Sequence, residues 1–346
     1  MTTAGQPRGA LLVGSVPLAS AEEVFRIAST ILGKWLRRIP DGETGERLGW
    51  IGWQLKILES LPQFETEPPS PNTYPALPRV KLRSQAASGE ITFGRLGYAD
   101  AAKASYADFS RLKQAGVIPA GCRFQVSLPT PLAPINVFVA PQDKAIVEPP
   151  YEARLLAELD EIVAAIPPNE LAIQWDVAVE MAIWEGLWPT YFTGVKAGII
   201  ERLVRIGNRV PAAVELGYHL CYGDYQHSHF AQPVDAANSV EVANAVSAAL
   251  RRSINWLHLP VPRDRNDGAY FAPLRNLQLR PETELYLGLV HFTDGVAGTR
   301  QRIAAARRVV SKFGVATECG LGRRPPETIP DLLRIHTEVA SPFEEA

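Results

Sequence analysis

His219 and Cys221 stand one residue apart in the run GYHLCYGD, and Cys319 follows roughly a hundred residues later in ATECGLG. Alternate residues of a β-strand point to one face, so an imidazole nitrogen and a sulfur at this spacing can converge on one point. That donor pair suits a borderline-soft metal ion, zinc first of all. A third ligand so far along the chain must come from another strand of the same fold, which describes a site on a large scaffold rather than a local zinc finger. Three protein ligands leave a coordination position open, which is the pattern of a catalytic site. The same spacing also arises from packing alone, so the chemistry depends on what the rest of the chain gathers around it.

The elements that must position these residues read as short β-rich runs alternating with helical patterns. Candidate strands are Ala10–Val16, Leu36–Pro40, Phe124–Leu128, Leu171–Val177, Ala213–Cys221, Ile254–Leu259, Glu284–His291 and Val315–Cys319. Ser20 precedes AEEVFRIASTIL as an N-cap, with Glu22 and Glu23 in the first turn. Ala236–Arg252 and Thr299–Phe313 are further amphipathic helices, the latter expected to end at Gly314. Eight strands separated by helices predict an α/β fold, a (β/α)8 TIM barrel, with a doubly wound open sheet as the competing arrangement. The Pro-rich stretch Pro62–Pro78 and the following VKLRSQAASGEITFG read as an inserted loop and hairpin after the second strand, turning at Gly89. A single domain over residues 1–346 is the simplest organisation.

Polar residues collect where these strands end. Ser15 follows the first, Asp41 and Glu43 the second, Asp176 the fourth, and His219 and Cys221 the fifth. His258 lies in the sixth, His291 and Asp294 close the seventh, and Cys319 closes the eighth. In a barrel all these ends meet at one rim, where active sites form. Plainer roles stand beside these. Glu43 can cap a helix beginning near Thr44, and His258 can be a core histidine bonded to a carbonyl. Asp176 on an apolar strand is costly to bury without a partner. His227 and His229 in YQHSHF read as loop, Tyr222 and Trp175 as packing. Trp50, Trp53, Trp184 and Trp188 also read as packing, with one able to wall a substrate pocket.

Composition excludes several classes. The 346 residues are 46% hydrophobic and 21% charged with a net charge of −2, which leaves no electrostatic footprint for nucleic acid or an anionic membrane. Arg300, Arg302, Arg307 and Arg308 read mostly as a solvated helix face; one arginine among these or the pair Arg323-Arg324 can serve an anionic substrate. Three widely spaced cysteines make no disulfide framework, and Cys122 reads as a buried small hydrophobe. The N-terminus is a poor signal peptide and no stretch is apolar enough to span a membrane, so a reducing, cytoplasmic location is the default.

GYHLCY, ECGLG, LLVGSVP, IPDGETGER and IQWDVAVE also resemble, in the right order along nearly the whole chain, the C-terminal catalytic barrel of cobalamin-independent methionine synthase. That family sits in a superfamily with epoxyalkane:coenzyme M transferase and uroporphyrinogen decarboxylase. The resemblance implies zinc on His219, Cys221 and Cys319. The family's fourth ligand is a glutamate closing the next strand, where INWLHLPVP places His258. Histidine there makes the site neutral instead of singly negative, so the metal is a stronger Lewis acid and its thiolate a weaker nucleophile. The resemblance further implies that Asp176 and Ser15 hold the thiol substrate, with Glu43 beside them. The family's catalytic histidine pattern, D-I-H-S, is not reproduced: VHFTD puts Thr293 near it, flanked by His291 and Asp294 as candidate catalytic groups. The family's folate-binding N-terminal half has no counterpart in this sequence, which argues against methionine synthesis itself. The expected function is a zinc-dependent transfer of a methyl or alkyl group to or from a small-molecule thiol, with a corrinoid or folate-type donor left open. The alternatives are a metal-free lyase or decarboxylase and a non-catalytic metal- or thiol-binding protein.

Overall fold

The computed structural model describes residues 6–69, 77–83, 91–223 and 229–344. Strands β1 (Ala10–Leu11) and β2 (Arg38–Pro40) come first, and β3 (Phe64–Glu67) pairs antiparallel with β4 (Arg79–Leu82) as a separate hairpin. Then follow β5 (Arg123–Pro129), β6 (Leu171–Val177), β7 (Glu215–Leu220), β8 (Trp256–Pro260), β9 (Glu284–Val290) and β10 (Gly314–Thr317). Eight parallel strands pair in the order β1-β10-β9-β8-β7-β6-β5-β2, and eleven α-helices among the described residues accompany them. Only β1 and β2 lack a ladder between them, so the sheet is a nearly closed (β/α)8 barrel. β6 is buried along its whole length, as strands covered on both faces must be.

Three expectations need correcting. The first strand ends at Leu11 rather than Val16, because the carbonyls beyond it are taken by barrel-interior side chains. Gln174 Nε2 donates to Val13 O at 2.6 Å, and Gln125 Nε2 donates to the same oxygen at 2.9 Å. These bonds hold the segment carrying Ser15 against the barrel without a neighbouring ladder. The hairpin found begins earlier than expected, β3 inside the Pro-rich stretch pairing with β4 just after it, and the turn expected at Gly89 lies outside the described residues. The helix expected over Thr299–Phe313 runs Gly295–Arg307, with Asp294 at its N-terminal boundary, and Gly314 opens β10 instead of ending the helix.

The end where the strands begin is sealed by charge. Arg38, almost wholly buried, bonds Glu215 and Glu284, and its guanidinium lies 4.3 Å from the Trp256 ring centroid. A Cβ on Gly217 would fall inside the Trp256 indole, so glycine there gives the ring its place. Among the described residues no helix is long and apolar enough to cross a membrane.

Candidate functional site

His219 is the penultimate buried position of β7, and Cys221 follows just beyond it. The Cys221 N–H donates to Val177 O at 2.9 Å, which keeps the chain extended past the strand and preserves the shared face. Cys319 emerges from the end of β10. One ligand atom from each of His219, Cys221 and Cys319 lies within 4.8 Å of the others, and the two sulfurs are 3.5 Å apart. Gly223 N–H donates to Cys221 Sγ at 3.2 Å.

His258 is the direct register partner of His219, and their Nδ1 atoms are 2.6 Å apart. Two nitrogens in one tetrahedral zinc shell would stand about 3.3 Å apart, given Zn–N bonds of about 2.0–2.1 Å. The contact is therefore a hydrogen bond, one ring donating and the other accepting. It occupies Nδ1 of His219 and leaves Nε2, buried and with no hydrogen-bond partner among the described residues, as the nitrogen open to a metal. The cluster of His219, Cys221 and Cys319 does not include His258, which lies against it through the His219 ring. Burial, with His258 adding to it, depresses the His219 imidazole far below its usual range, and burial pushes His258 down to about 3. Both rings are neutral at pH 7, the form a metal takes.

The ligand set forms one wall of a pocket also lined by Ser15, Glu43, Leu48, Trp50, Asp176 and Arg323. Glu43 and Trp50 have positive φ, 48° and 61°, unusual for residues with side chains and concentrated here on the pocket lining. The turn that aims Glu43 inward is organised by Asp41, which accepts from the Glu43 N–H at 2.9 Å, from Arg47 at 2.7 Å and from Ser105 Oγ at 2.8 Å. The short helix after Thr44 begins without a side-chain cap, so Glu43 is not its cap. Burial raises the Glu43 carboxyl well above its usual range, with Asp176 and Asp41 adding to the effect and Arg47 opposing it. Burial raises Asp176 to about 7, against hydrogen bonds from Gln174 and Trp50. Two carboxyls that both resist ionisation face one pocket.

The GSVP and ECGLG runs meet directly. Ser15 Oγ accepts from the Gly322 N–H at 3.2 Å, and Ser15 O accepts from the Leu321 N–H at 2.7 Å. A side chain at Gly320 or Gly322 would collide with Ser15, so both glycines are required by this close approach.

His291 and Asp294 stand off the pocket lining. His291 is buried, its Nε2 2.9 Å from Val261 O, and Asp294 forms a two-pronged ion pair with Arg302 at 2.6 and 2.8 Å. Arg302 is therefore a buried structural residue, an exception to the solvated arginine face. Tyr222 is buried and bonds Glu185, and Trp175 is packed in the core. His227 lies outside the described residues. Two residues escaped sequence reasoning: Glu318, whose only signal was its place beside Cys319, and Leu48, an unremarked apolar residue. Trp50, read among four packing tryptophans, is the one that walls the pocket.

No family model and no curated protein matches the chain. Solved structures with the same barrel include a protein from Listeria monocytogenes assigned as a vitamin-B12 independent methionine synthase. It is 17% identical, with 97% of this chain and 99% of that chain covered and a TM-score of 0.58. A B12-independent methionine synthase from Shewanella sp. in complex with selenomethionine is 14% identical, with 97% and 94% covered and a TM-score of 0.61. A methyltransferase from Methanosarcina mazei is 11% identical, with 96% and 94% covered and a TM-score of 0.53. At these identities the likeness establishes the barrel.

Proposed function

We propose that this chain is a zinc-dependent transferase that moves a methyl or other alkyl group to or from a small-molecule thiol. The observation that carries the reading is the convergence of His219, Cys221 and Cys319 within 4.8 Å on the wall of a pocket that also holds Glu43 and Asp176. The donor set is one neutral imidazole with a free Nε2 and two thiols, which fits zinc. His219, Cys221 and Cys319 would hold it, and zinc bound there keeps a substrate thiol deprotonated near neutral pH. The rest is the work of the chain. Ser15, Glu43 and Asp176 bind and orient the thiol substrate, the two carboxyls offering hydrogen bonds or charge to a cationic group on it. Trp50 and Leu48 keep water from the reacting sulfur, and Arg323 at the mouth can meet an anionic group. All three solved neighbours bear methionine synthase or methyltransferase names, and the Shewanella protein is bound to a methylated selenium amino acid, which supports alkyl transfer at a chalcogen. Two cysteines at the site that form no disulfide fit a reducing compartment such as the cytoplasm.

Metal analysis of protein purified without chelator should find about one zinc per chain, from the three-ligand catalytic pattern, and Cys221→Ser should lose it. Incubation with homocysteine-like thiols and a panel of methyl donors should then give thioether by mass spectrometry. Fully folded, chelator-free protein without metal would sink the proposal; zinc and thiol binding with no turnover on any donor would reduce it to a non-catalytic binder.

A further inference from the structure

We propose that Glu318 is a positioning residue for the metal centre, its carboxylate locking together the two segments that carry Cys221 and Cys319. The inference rests on the zinc reading of that centre. Glu318 sits between Thr317, the last residue of β10, and Cys319, where the β10–β9 register shifts between Val315 and Thr317. Irregularities of this kind re-aim side chains beside active sites. A Cβ on Gly288 would press on the Glu318 backbone at 2.8 Å, so β9 supplies a glycine where this backbone comes close. The Glu318 carboxylate is mostly buried and spans two histidines from different elements. His229 Nε2 lies 3.0 Å from Oε2, and His291 Nδ1 lies 3.5 Å from Oε1. His291 is itself fixed through Val261 O, so one side of the clamp is anchored to the barrel. On the other side Phe230, next to His229, donates its N–H to Tyr222 O at 2.9 Å, beside Cys221.

Cys221 and Cys319 come from strands that do not pair with each other, since β8 and β9 lie between β7 and β10. No backbone ladder therefore sets the 3.5 Å between their sulfurs. The Glu318 bridge is a side-chain link between the two segments, one residue from Cys319, and it accounts for a buried His291 outside the pocket.

The test uses the full chain with Glu318→Ala, Glu318→Gln and Glu318→Asp. In metal-stripped protein, diamide takes two protons and two electrons from the Cys221 and Cys319 thiols, becoming the hydrazine as their disulfide forms, and the rate of that joining, read by mass spectrometry, reports their approach without any metal. In parallel, zinc affinity is measured by chelator competition, and cobalt(II) is added for its sulfur-to-metal charge-transfer band. Positioning predicts slower joining in Glu318→Ala, zinc affinity lower by about 10–100-fold, a weakened cobalt band, and partial recovery of all three in Glu318→Asp. Glu318→Gln, which keeps the size of the side chain, should fall between and serves if the alanine variant fails to fold. A lower melting temperature with wild-type joining rate would overturn the proposal. Wild-type protein that binds neither metal, with joining still slowed in Glu318→Ala, would uphold the positioning role while removing the zinc function.

Discussion

Both ends of the barrel bury charged or titratable side chains, and they treat them differently. Where the strands begin, Arg38 has two carboxylate partners and an aromatic face, so its charge is matched at once. Where they end, Glu43 and Asp176 face one pocket and, among the described residues, neither bonds an opposing cation and His219 Nε2 has no hydrogen-bond partner. Folding gains little from leaving such groups unmatched. The matched end serves stability, and the unmatched end is arranged for something the chain does not itself supply.

The largest test of that contrast removes a ligand. Cys319→Ser should abolish zinc retention, measured by metal analysis after gel filtration, while the protein stays folded by circular dichroism. Unfolding of the metal-free variant under conditions where metal-free wild type is folded would make the site structural and erase the contrast. The reciprocal change at the other end is Arg38→Met. It removes the buried cation that Glu215 and Glu284 share, leaving them to Arg123 and Arg37, and should cost about 3 kcal/mol in urea unfolding, the low end for breaking a buried pair. The folded fraction should retain zinc at wild-type stoichiometry. Loss of metal there would mean the two ends are coupled through the sheet.

His258→Ala probes the boundary between the ends' two logics, because His258 is buried and partnered yet touches a ligand. As the hydrogen-bond partner that fixes the His219 ring, it should affect zinc affinity by about 10–100-fold, with stoichiometry unchanged. Complete loss of metal would instead place His258 in the coordination shell.

The barrel was legible because eight short β-rich runs, LAIQWDV and ELGYHL among them, alternate with helical patterns along the chain. The pairing of His219 with Cys221 was legible because i and i+2 share a face whatever the rest of the fold does. What escaped reading depends on three-dimensional closure. The length of β1 was set by Gln125 and Gln174, residues more than a hundred positions away whose amides claim its carbonyls. The inward aim of Glu43 needed a positive φ that nothing in DGETGER announces for a glutamate. His291 and Asp294 looked alike at the end of one strand, yet Arg302 two helical turns on captured Asp294, and Glu318 from another strand captured the vicinity of His291.

The smallest test asks whether every unmatched group at the strand-end rim belongs to the function. Glu180, just beyond β6, is almost fully buried and lines no part of the pocket. Burial raises its carboxyl to about 7; the Thr130 hydroxyl opposes this and Glu148 adds to it. Because the folded pKa lies above that of an unfolded glutamate, the folded state keeps a proton that the unfolded chain has released. Glu180 therefore contributes least above pH 7, and its contribution to unfolding free energy falls as pH rises from about 4.5 to about 7. Glu180→Gln should flatten that stretch of the stability–pH profile and gain roughly 2–3 kcal/mol at pH 8, read from urea midpoints, with zinc affinity unchanged. An unaltered slope would show that Glu180 ionises as an ordinary glutamate does. A fall in zinc affinity would extend the functional region one helix beyond the pocket, and the unmatched end would then be wider than its lining.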